Sequence, residues 1–477
     1  MPLDASAPQS PAAWLLRLGP QLDRQARHCG RLRAYAAGDH PLPAGNPKYA
    51  TTYRALQRMS RSNYVGLVAA TVAERMNVVG FRAGGDADAQ ADRDTWSWWQ
   101  SQQLDADSGL VHSDSLVCSV SYVSVAAGTD RAVATPEDPA AMIHATDPVR
   151  RRAVTAALKL YVDEWDAAHR AVLYLPDGTW FFRTPATDRS RVAWDEAAWD
   201  VDDDAAPGGW AANPLGQVPV VPFVNRPDTR GRGMGEFEDV LDIQDRINKT
   251  LLDRMVIAAM QAFRQRWAKG ITLTDENGND VEPFNPGADL LWAVEDEHAQ
   301  FGDFDQAQLS PLLEAARSDM RDLAAITRTP PHYLTGELTN VNGETLKAAE
   351  TGLIAKVRDR QREAGESWEA VAALAAAYEG RPFRDDAEVI WADPESRSMA
   401  EVADAAVKKL AIGVPWRQLM EDLGYSPAQI ARMEAARAVD ALLGAALPPV
   451  AATQPPAPAP APVEPAAEPA AAPAATG

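Results

Sequence analysis

Apolar side chains recur at helical spacing in two stretches of the second half of the chain, separated by a short polar segment. Ser310 and Pro311 are typical of a helix start, because a hydroxyl can accept an unpaired amide and proline fixes φ at the first helical position. Apolar positions three or four apart then define one face: Leu313, Ala316, Met320 and Leu323. Pro330 and Pro331 end the pattern, because proline lacks an amide donor and pushes the preceding residue toward extended geometry. We therefore predict a helix over residues 310–328.

The polar segment that follows, residues 334–342, contains one glycine and two asparagines, which favour turns. Helical spacing then resumes and continues far enough to predict a helix over residues 343–379, which would be about 55 Å long. Gly352 and Gly365 lie inside it and cost about 1 kcal/mol each relative to alanine, so either one favours a bend.

Another long helix is predicted over residues 236–269. Its first half is rich in Asp and Glu and its last turns contain basic residues, a polarity that suits the helix macrodipole. Residues 271–284 are predicted to form a hairpin turning at Asn277-Gly278, because both residues tolerate the positive φ of a tight turn. A hairpin between two helices is thus expected.

The first half of the chain mixes helical and strand-like patterns. Helices are predicted over residues 14–35 and 51–79, and the cluster of Trp96, Trp98 and Trp99 is expected in the core or in a subunit contact. Short runs rich in Val and Tyr predict antiparallel strands joined by turns such as Pro176-Asp177-Gly178; they cover residues 117–125, 158–165, 171–175, 179–183 and 219–224. Residues 200–209 are predicted to form an acidic loop. The whole pattern indicates an α+β fold.

The C-terminal part is helical again over residues 399–447, with breaks at Gly413-Val414-Pro415 and at Gly424. Residues 448–477 consist almost entirely of Pro and Ala, a composition that predicts an extended or disordered tail.

Composition narrows the class of protein. A chain of 477 residues with 46% hydrophobic residues is expected to form two to four domains with a sizeable core. No apolar run suggests a membrane span or a secretory signal, so we expect synthesis in the cytosol and no membrane association.

The net charge of -21 argues against a protein whose main task is to bind nucleic acid through a basic surface. Cys29 and Cys118 lie far apart in sequence and are expected to be reduced structural thiols.

Motifs for catalysis are weak. The sequence contains no P-loop, which argues against an ATP-driven motor, and no Gly-x-Ser-x-Gly or His-x-x-x-His pattern. Asp200, Asp202 and Asp204 resemble only the first half of a calcium loop. A hydrolase built around the adjacent residues 295–298, which are Glu295, Asp296, Glu297 and His298, is an alternative hypothesis, although adjacent side chains point in different directions. We expect no enzymatic activity, no metal and no cofactor.

A second alternative is a cytosolic DNA-binding regulator. Residues 419–439 have a helix-turn-helix outline whose second helix offers Gln429, Arg432 and Arg437 as base-reading side chains. We favour a packed helical hairpin here, because so few side chains of this helix are suited to reading bases.

Several runs in a fixed order resemble the portal proteins of tailed double-stranded DNA phages. They are NPLGQVPVVPF at residues 213–223, GEFEDV at 235–240, ITRTPP at 326–331 and NGETLK at 342–347. Single residues add to the match: Asn225, Asp245, Asn248, Asp253, Leu334 and Glu350. The resemblance covers roughly residues 51–447.

This resemblance implies a portal-like architecture. Its parts would be an N-terminal segment (1–50), a mixed wing (51–235), stem helix 1 (236–269), a small hairpin-bearing clip (270–308), stem helix 2 (309–329), a tunnel loop (330–342), a long kinked helix with the wing return (343–398), a helical crown (399–447) and the Pro/Ala tail (448–477).

The resemblance also implies partners and site residues. It implies a ring of twelve copies at one capsid vertex of the virion, through which double-stranded DNA passes, with the terminase large subunit, the major capsid and scaffolding proteins and a head-tail adaptor as partners. The tunnel-loop residues would be Thr335, Glu337, Leu338, Thr339, Asn340, Val341 and Asn342, and the stem residues Asp245, Asn248, Lys249 and Arg254. Two departures from the family pattern are that Ser119 and Ser121 stand where a glycine is expected, and that the loop has no lysine.

Overall fold

The computed structural model describes residues 5–43, 50–83, 89–163, 165, 167–186, 188–262, 266–269, 300–303, 307–336, 343–395, 399–425 and 427–446. The chain divides into two compact units, Met1–Pro427 and Ala428–Gly477. The predicted hairpin at residues 271–284, the candidate site at residues 295–298 and the Pro/Ala tail lie outside the described residues.

The first helix, α1 (Pro11–Ala36), is capped by Ser10, whose Oγ accepts the amide of Ala13 at 3.2 Å. The single helix predicted over residues 51–79 is wrong. The chain instead forms α2 (Ala50–Met59), α3 (Tyr64–Ala73) and then β1 (Val78–Arg82). The helix is interrupted before α3 because Asn63 is the N-cap residue of α3: its side chain accepts the Gly66 amide at 2.9 Å. An N-cap residue has a non-helical backbone, so α2 cannot continue through Asn63 into α3.

Two helices follow, α4 (Ala89–Ser101) and α5 (Leu104–Cys118). The predicted tryptophan cluster is confirmed as core, because Trp98 and Trp99 are fully buried and Trp99 packs edge-on against Trp368. Helix α5 ends at Ser119, which has the left-handed φ of 70°. Glycine adopts this conformation without strain, so of the two serines that depart from the family pattern, Ser119 has the backbone conformation that favours glycine.

Two antiparallel sheets occupy the first half of the chain, as predicted. One contains β2 (Val120–Ala126) and β3 (Val133–Glu137), with β10 (Val220–Val224) on the other side of β2. The larger sheet has six strands: β4 (Met142–Thr146), β5 (Val154–Val162), β6 (His169–Tyr174), β7 (Gly178–Thr184), β8 (Asp200–Val201) and β9 (Trp210–Ala212). The acidic segment 200–209 is therefore not loop throughout, because it begins as a strand paired with β7. Strand β5 ends before Trp165, earlier than predicted.

The second half is dominated by long helices. A 3-10 turn, Glu238–Val240, leads into α6 (Leu241–Ala262). The helix predicted to continue to residue 269 is wrong, because the chain turns into β11 (Arg266–Lys269), which pairs with β12 (Gln300–Asp303). This strand depends on a partner more than 30 residues away, which local periodicity does not register.

Helix α7 (Ser310–Thr327) ends close to its predicted boundary, at Arg328 in the left-handed conformation. The predicted cap is wrong: Ser310 is the first helical residue, and Leu309 precedes it without a side-chain cap bond. Part of the segment 330–342, predicted to be a loop, is helical as α8 (Pro331–Thr335), because Pro331 has the φ of a first helical residue.

The longest element is α9 (Gly343–Tyr378), which matches the prediction to within one residue and runs through both of its glycines as one helix. It is followed by β13 (Glu388–Trp391), paired with β1, and by α10 (Met399–Ala411) and α11 (Trp416–Asp422). The last helix, α12 (Pro427–Ala446), supplies the described part of the second unit. The predicted helix breaks near residues 413–415 and 424 are confirmed.

Two large apolar clusters hold the first unit together. The larger surrounds α9, where Trp368 contacts Phe223 of β10 with ring centroids 4.6 Å apart. The other lies between α1 and the six-stranded sheet, and its fully buried members include Leu15, Leu158 and Trp199. Helix α9 therefore links the three-stranded sheet to the α6 and α7 helices.

Candidate functional site

The helices α6 and α7 pack side by side and form the rigid pair from which the site is built. Across the pair, Arg246 of α6 lies 2.8 Å from the carboxylate of Asp319 and 4.0 Å from that of Asp322 on α7. The hydrogen bond from Arg246 to Asp319 raises the pKa of the guanidinium. Because Arg246 is exposed, this ion pair contributes little to the free energy of folding, and its main effect is on the relative alignment of α6 and α7.

The predicted stem residues occupy α6, and two of them face the rest of the protein. Asn248 is 1% exposed; its Oδ1 accepts the amide of Ser62 at 2.9 Å, and its Nδ2 lies 2.5 Å from His40 Nε2. Asp245 accepts a hydrogen bond from Tyr35 Oη at 2.9 Å. These contacts attach α6 to the segments before α3.

The other two predicted stem residues lie nearer solvent. Lys249 pairs with Asp253 one turn later at 2.5 Å, with both side chains about half exposed. Arg254 is partly buried. The structure thus separates the four residues into an inward-facing pair and a pair on the more open side of α6.

Sequence reasoning missed Gln244, which is fully buried and completes the attachment. Its Oε1 accepts the amides of Tyr64 and Val65 at 3.1 and 3.3 Å, and its Nε2 donates to Ser62 O at 2.7 Å. Gln244 therefore satisfies the first amides of α3, which would otherwise be unpaired. Its position four residues before Asn248 was the available signal, because that spacing puts both amides on one helix face.

A buried charge network joins the entry to α6 with the end of α7 and the middle of α9. Glu236 is 3% exposed and Lys356 is 4% exposed. Glu236 lies 3.0 Å from Arg360 Nε and 3.5 Å from Lys356 Nζ. Lys356 also donates to the carbonyl of Thr327, the last residue of α7, at 2.7 Å. We call Glu236, Thr327, Lys356 and Arg360 the stem junction.

The pKa values in the stem junction reflect competition between burial and charge. Burial alone would raise the pKa of Glu236, but the charges of Arg360 and Lys356 lower it overall. Burial lowers the pKa of Lys356 to about 8, although Glu236 opposes that shift. Both groups are therefore charged near neutral pH.

The stem junction borders a polar cavity of about 380 Å³. Its walls also include Arg226, Asp239, Arg328 and Asp359, so charges of both signs surround it. The three elements that meet here are thus held by directional polar contacts beside an open space, and not only by apolar packing.

A second polar contact fixes the base of the predicted tunnel loop. Tyr333 of α8 donates its hydroxyl proton to Glu350 of α9 at 2.9 Å and accepts from Arg75, near the end of α3, at 3.0 Å. Burial, and then the hydrogen bond to Glu350, raises the pKa of Tyr333. The contact ties together the chain before and after residues 337–342. We call these three residues the loop clasp.

The predicted tunnel-loop residues are only partly described. Thr335 ends α8, and its hydroxyl donates to Pro331 O at 3.1 Å. The remaining ones, Glu337, Leu338, Thr339, Asn340, Val341 and Asn342, lie outside the described residues.

Two of the three candidate calcium ligands form ion pairs with arginines. Asp202 is buried and lies 2.5 Å from Arg170, while Asp204 lies 2.8 Å from Arg183. In the described part of the chain, no group of three or more His, Cys, Asp or Glu side chains is arranged to hold a metal ion. Cys29 and Cys118 are both buried free thiols, and Cys29 Sγ lies 4.0 Å from the carbonyl of Cys118.

The family model and the individual relatives that match this chain point to the same protein family. A sequence model of the family described as "Phage portal protein, SPP1 Gp6-like" matches residues 20–423. The portal protein of Mycobacterium phage D29 is 30% identical over 416 residues, which cover 82% of this chain and 81% of the relative. The portal protein of Mycobacterium phage L5 is 31% identical over 397 residues, covering 78% and 77%.

Among solved structures, a chain of the "Neck of empty GTA particle computed with C6 symmetry" is similar over 81% of this chain and 96% of that chain. Its TM-score is 0.43 and its sequence identity is 11%. None of the described helices is both long and apolar enough to cross a membrane.

Proposed function

This chain belongs to the SPP1 Gp6-like family of phage portal proteins, and from that premise we propose that copies of it assemble into a ring of twelve at one vertex of the capsid. The ring forms the channel through which double-stranded DNA enters during packaging and leaves during ejection. The observation that carries this proposal is the family match over residues 20–423. The stem junction is consistent with it, because it fixes the α6 and α7 pair to the middle of α9.

The structural roles follow from the order of elements. Helices α6 and α7 supply the stem, the sheets before residue 236 supply the wing, and the segment between β11 and β12 supplies the clip. Helix α9 returns from the channel side to the wing, and α10 to α12 supply the crown. The tunnel loop, residues 335–342, faces the DNA, and short polar side chains such as Thr339, Asn340 and Asn342 touch the DNA backbone without holding it tightly.

The loop clasp supports this role for the loop. A loop that contacts moving DNA needs a fixed base, and Tyr333 provides one by joining α8 to α9 and to α3. The stem junction then connects the same helix α9 to the end of α7. Displacement of the loop is thereby coupled to both the stem and the wing.

The ring also needs partners at its two ends. The clip binds the terminase large subunit during packaging and the head-tail adaptor afterwards, while the wing contacts the major capsid and scaffolding proteins. The protein acts as a structural conduit and carries out no catalysis of its own. Assembly takes place in the host cytoplasm before the ring is built into the virion.

Electron microscopy of the purified full-length protein tests the ring. We expect rings with a central channel wide enough for a DNA duplex. A protein that stays monomeric under all assembly conditions, and that is absent from virions, contradicts the proposal.

A loop deletion tests the assignment of the channel. Removing residues 339–342 should leave ring assembly intact and impair DNA packaging, because the loop clasp lies outside the deleted residues. If the deletion variant fails to form rings, these residues belong to a subunit interface instead.

The alternative of a DNA-binding regulator has no support from the comparisons. The family match covers residues 20–423, which is most of the chain and ends near the start of the helix-turn-helix outline, and both curated relatives are portal proteins.

A further inference from the structure

Two neighbouring surface turns concentrate arginine on an otherwise acidic protein. The first connects β4 to β5 and contains Arg150 and Arg151, and the second connects β10 to α6 and contains Arg230 and Arg232. Arg151 bridges the turns by donating to the carbonyl of Asp228 at 3.0 Å. All four side chains are exposed, Arg150 at 79% and Arg232 at 71%. We call these four residues the arginine ridge.

Two aspartates beside the ridge, Asp147 and Asp228, accept hydrogen bonds from backbone amides of their own turns. Asp147 accepts the amides of Val149 and Arg150 at 2.7 and 3.0 Å. Asp228 accepts the amides of Arg230 and Arg232 at 2.8 and 2.9 Å. These backbone hydrogen bonds lower the pKa of both aspartates, so both are ionised. The other carboxylates of the second turn pair with groups outside the ridge, at 3.0 to 3.2 Å: Glu236 with Arg360, Glu238 with His28 and Asp239 with Arg226. The four ridge guanidinium groups therefore have two adjacent carboxylates, those of Asp147 and Asp228.

Among the residues that the structure describes, only two of the four ridge arginines are paired with carboxylates, so the other two guanidinium groups can bind an external anion. Arg232 is bound by Asp228 at 2.9 Å, and Arg150 lies 3.6 Å from Asp147. Within the described part of the chain, Arg151 and Arg230 have no carboxylate partner. The next residue, Arg152, is not counted in the ridge, because its guanidinium is paired with the carboxylates of Glu363 and Glu366 on α9.

The chemistry of the ridge favours a polyanion over a protein surface. Protein interfaces have an apolar core, whereas Val149 is the one large apolar side chain exposed in these two fully described turns. The basic side chains are all arginines, whose planar guanidinium groups bind phosphate oxygens through paired hydrogen bonds. A chain with a net charge of -21 repels DNA in general, so contact requires a local basic surface.

We propose that the arginine ridge is a contact site for the phosphate backbone of double-stranded DNA. This inference rests on the proposed function, because DNA is the polyanion that a portal ring handles. The ridge binds without reading sequence, since its side chains meet phosphates and not base edges.

The salt dependence of binding measures the number of contacts. Four phosphate contacts give a slope of about -3.6 in the logarithm of affinity against the logarithm of salt concentration, so affinity falls about a hundredfold between about 50 and 200 mM salt. The experiment measures binding of the full-length protein to a short fluorescent duplex by anisotropy across this range. Changing Arg150, Arg151, Arg230 and Arg232 together to alanine should remove most of that slope.

A control of equal charge keeps the test specific. Arginines exposed elsewhere and paired with carboxylates are changed to alanine together: Arg183, Arg358, Arg362 and Arg384. This control should retain the wild-type slope. Equal loss in both variants means that net charge alone governs binding, and no loss in the ridge variant means that DNA binds elsewhere; either result overturns the inference.

Electron microscopy of the same preparations separates this inference from the proposed function. Wild-type rings without salt-sensitive DNA affinity overturn the ridge and leave the ring intact. If the ridge variant binds DNA as the wild type does but no longer forms rings, the ridge is a contact between copies of this chain. Ridge-dependent DNA binding by a protein that never forms rings supports the ridge and contradicts the ring.

Discussion

Replacing Glu236 with glutamine should loosen the stem junction more than any comparable surface change. The variant keeps the size of the side chain and removes its negative charge. Lys356 and Arg360 then remain as two buried cations without a buried carboxylate, because Glu236 is the acidic group that both of them contact. Removing one partner of a buried ion pair costs about 3–5 kcal/mol.

The pKa of Lys356 bounds its share of that cost. In the wild type the pKa is lowered from 10.5 to about 8, so burying the charged lysine already costs about 3 kcal/mol near neutral pH. Without Glu236 the pKa of Lys356 falls further. The cost of burying the charged lysine near neutral pH cannot exceed about 5 kcal/mol, because beyond that point the lysine loses its proton and is buried in its neutral form. Arg360 cannot release its proton and contributes the remainder.

Hydrogen exchange followed by mass spectrometry measures the effect locally. Amides in the middle of α9 should exchange about a hundred to several thousand times faster in E236Q, because each 1.4 kcal/mol corresponds to about a factor of ten. R362Q serves as a control, because Arg362 lies on the same helix and forms an exposed ion pair with Asp359. Exchange in E236Q that is indistinguishable from R362Q would refute the reasoning.

The pH dependence gives a second check on the same network. The folded pKa of Lys356 is below its unfolded value, so the unfolded chain binds more protons between about pH 8 and 10.5. The stability of the wild type relative to K356M should therefore rise through that window. Glu236 gives the same sign of pH dependence at low pH: its folded pKa is lowered, so its contribution to stability is present above its unfolded value of 4.5 and is lost as pH falls through the folded value.

Three further variants probe other parts of the structure. Tyr333→Phe removes the loop clasp and should cost about 1–2 kcal/mol, seen as faster hydrogen exchange at the start of α9 while rings still form; unchanged exchange would contradict the clasp. Asn248→Ala leaves the Ser62 amide without its partner and should cost about 1–3 kcal/mol in urea unfolding, a loss that Lys249→Ala on the open side should not reproduce. Ser119→Gly should stabilise the protein by about 1 kcal/mol because it relieves a left-handed φ, whereas Ser121→Gly should destabilise it by removing a buried hydrogen bond; thermal unfolding compares the pair.

Local pattern determined the long helices, because their apolar spacing and their proline and glycine boundaries are properties of neighbouring residues. The helix predicted over residues 343–379 is α9 almost without change, and apolar residues at helical spacing along it pack into the larger apolar cluster. Local pattern failed at residues 266–269. There a helical sequence becomes a strand, because strand pairing with residues 300–303 outweighs intrinsic preference.

The resemblance to portal proteins also came from the sequence, because it rests on runs of residues in a fixed order and requires no knowledge of contacts. It pointed to α6 but not to the direction in which its side chains face. Asn248 is buried against the segment before α3, whereas Lys249, its neighbour in sequence, is half exposed. Helical geometry separates adjacent side chains by about 100°, so only the docking of α6 decides which of them is buried.

The amino-acid sequence by itself determined most of the long helices, the α+β class and the family. The tertiary structure alone decided the stem junction and the arginine ridge. Glu236 and Lys356 are more than a hundred residues apart in sequence, a separation that helical spacing cannot relate. The two arginine turns are likewise brought together in space, where Arg151 donates to the carbonyl of Asp228. Such contacts depend on how elements pack in space, which is a long-range property that no local pattern of hydrophobic and polar residues encodes.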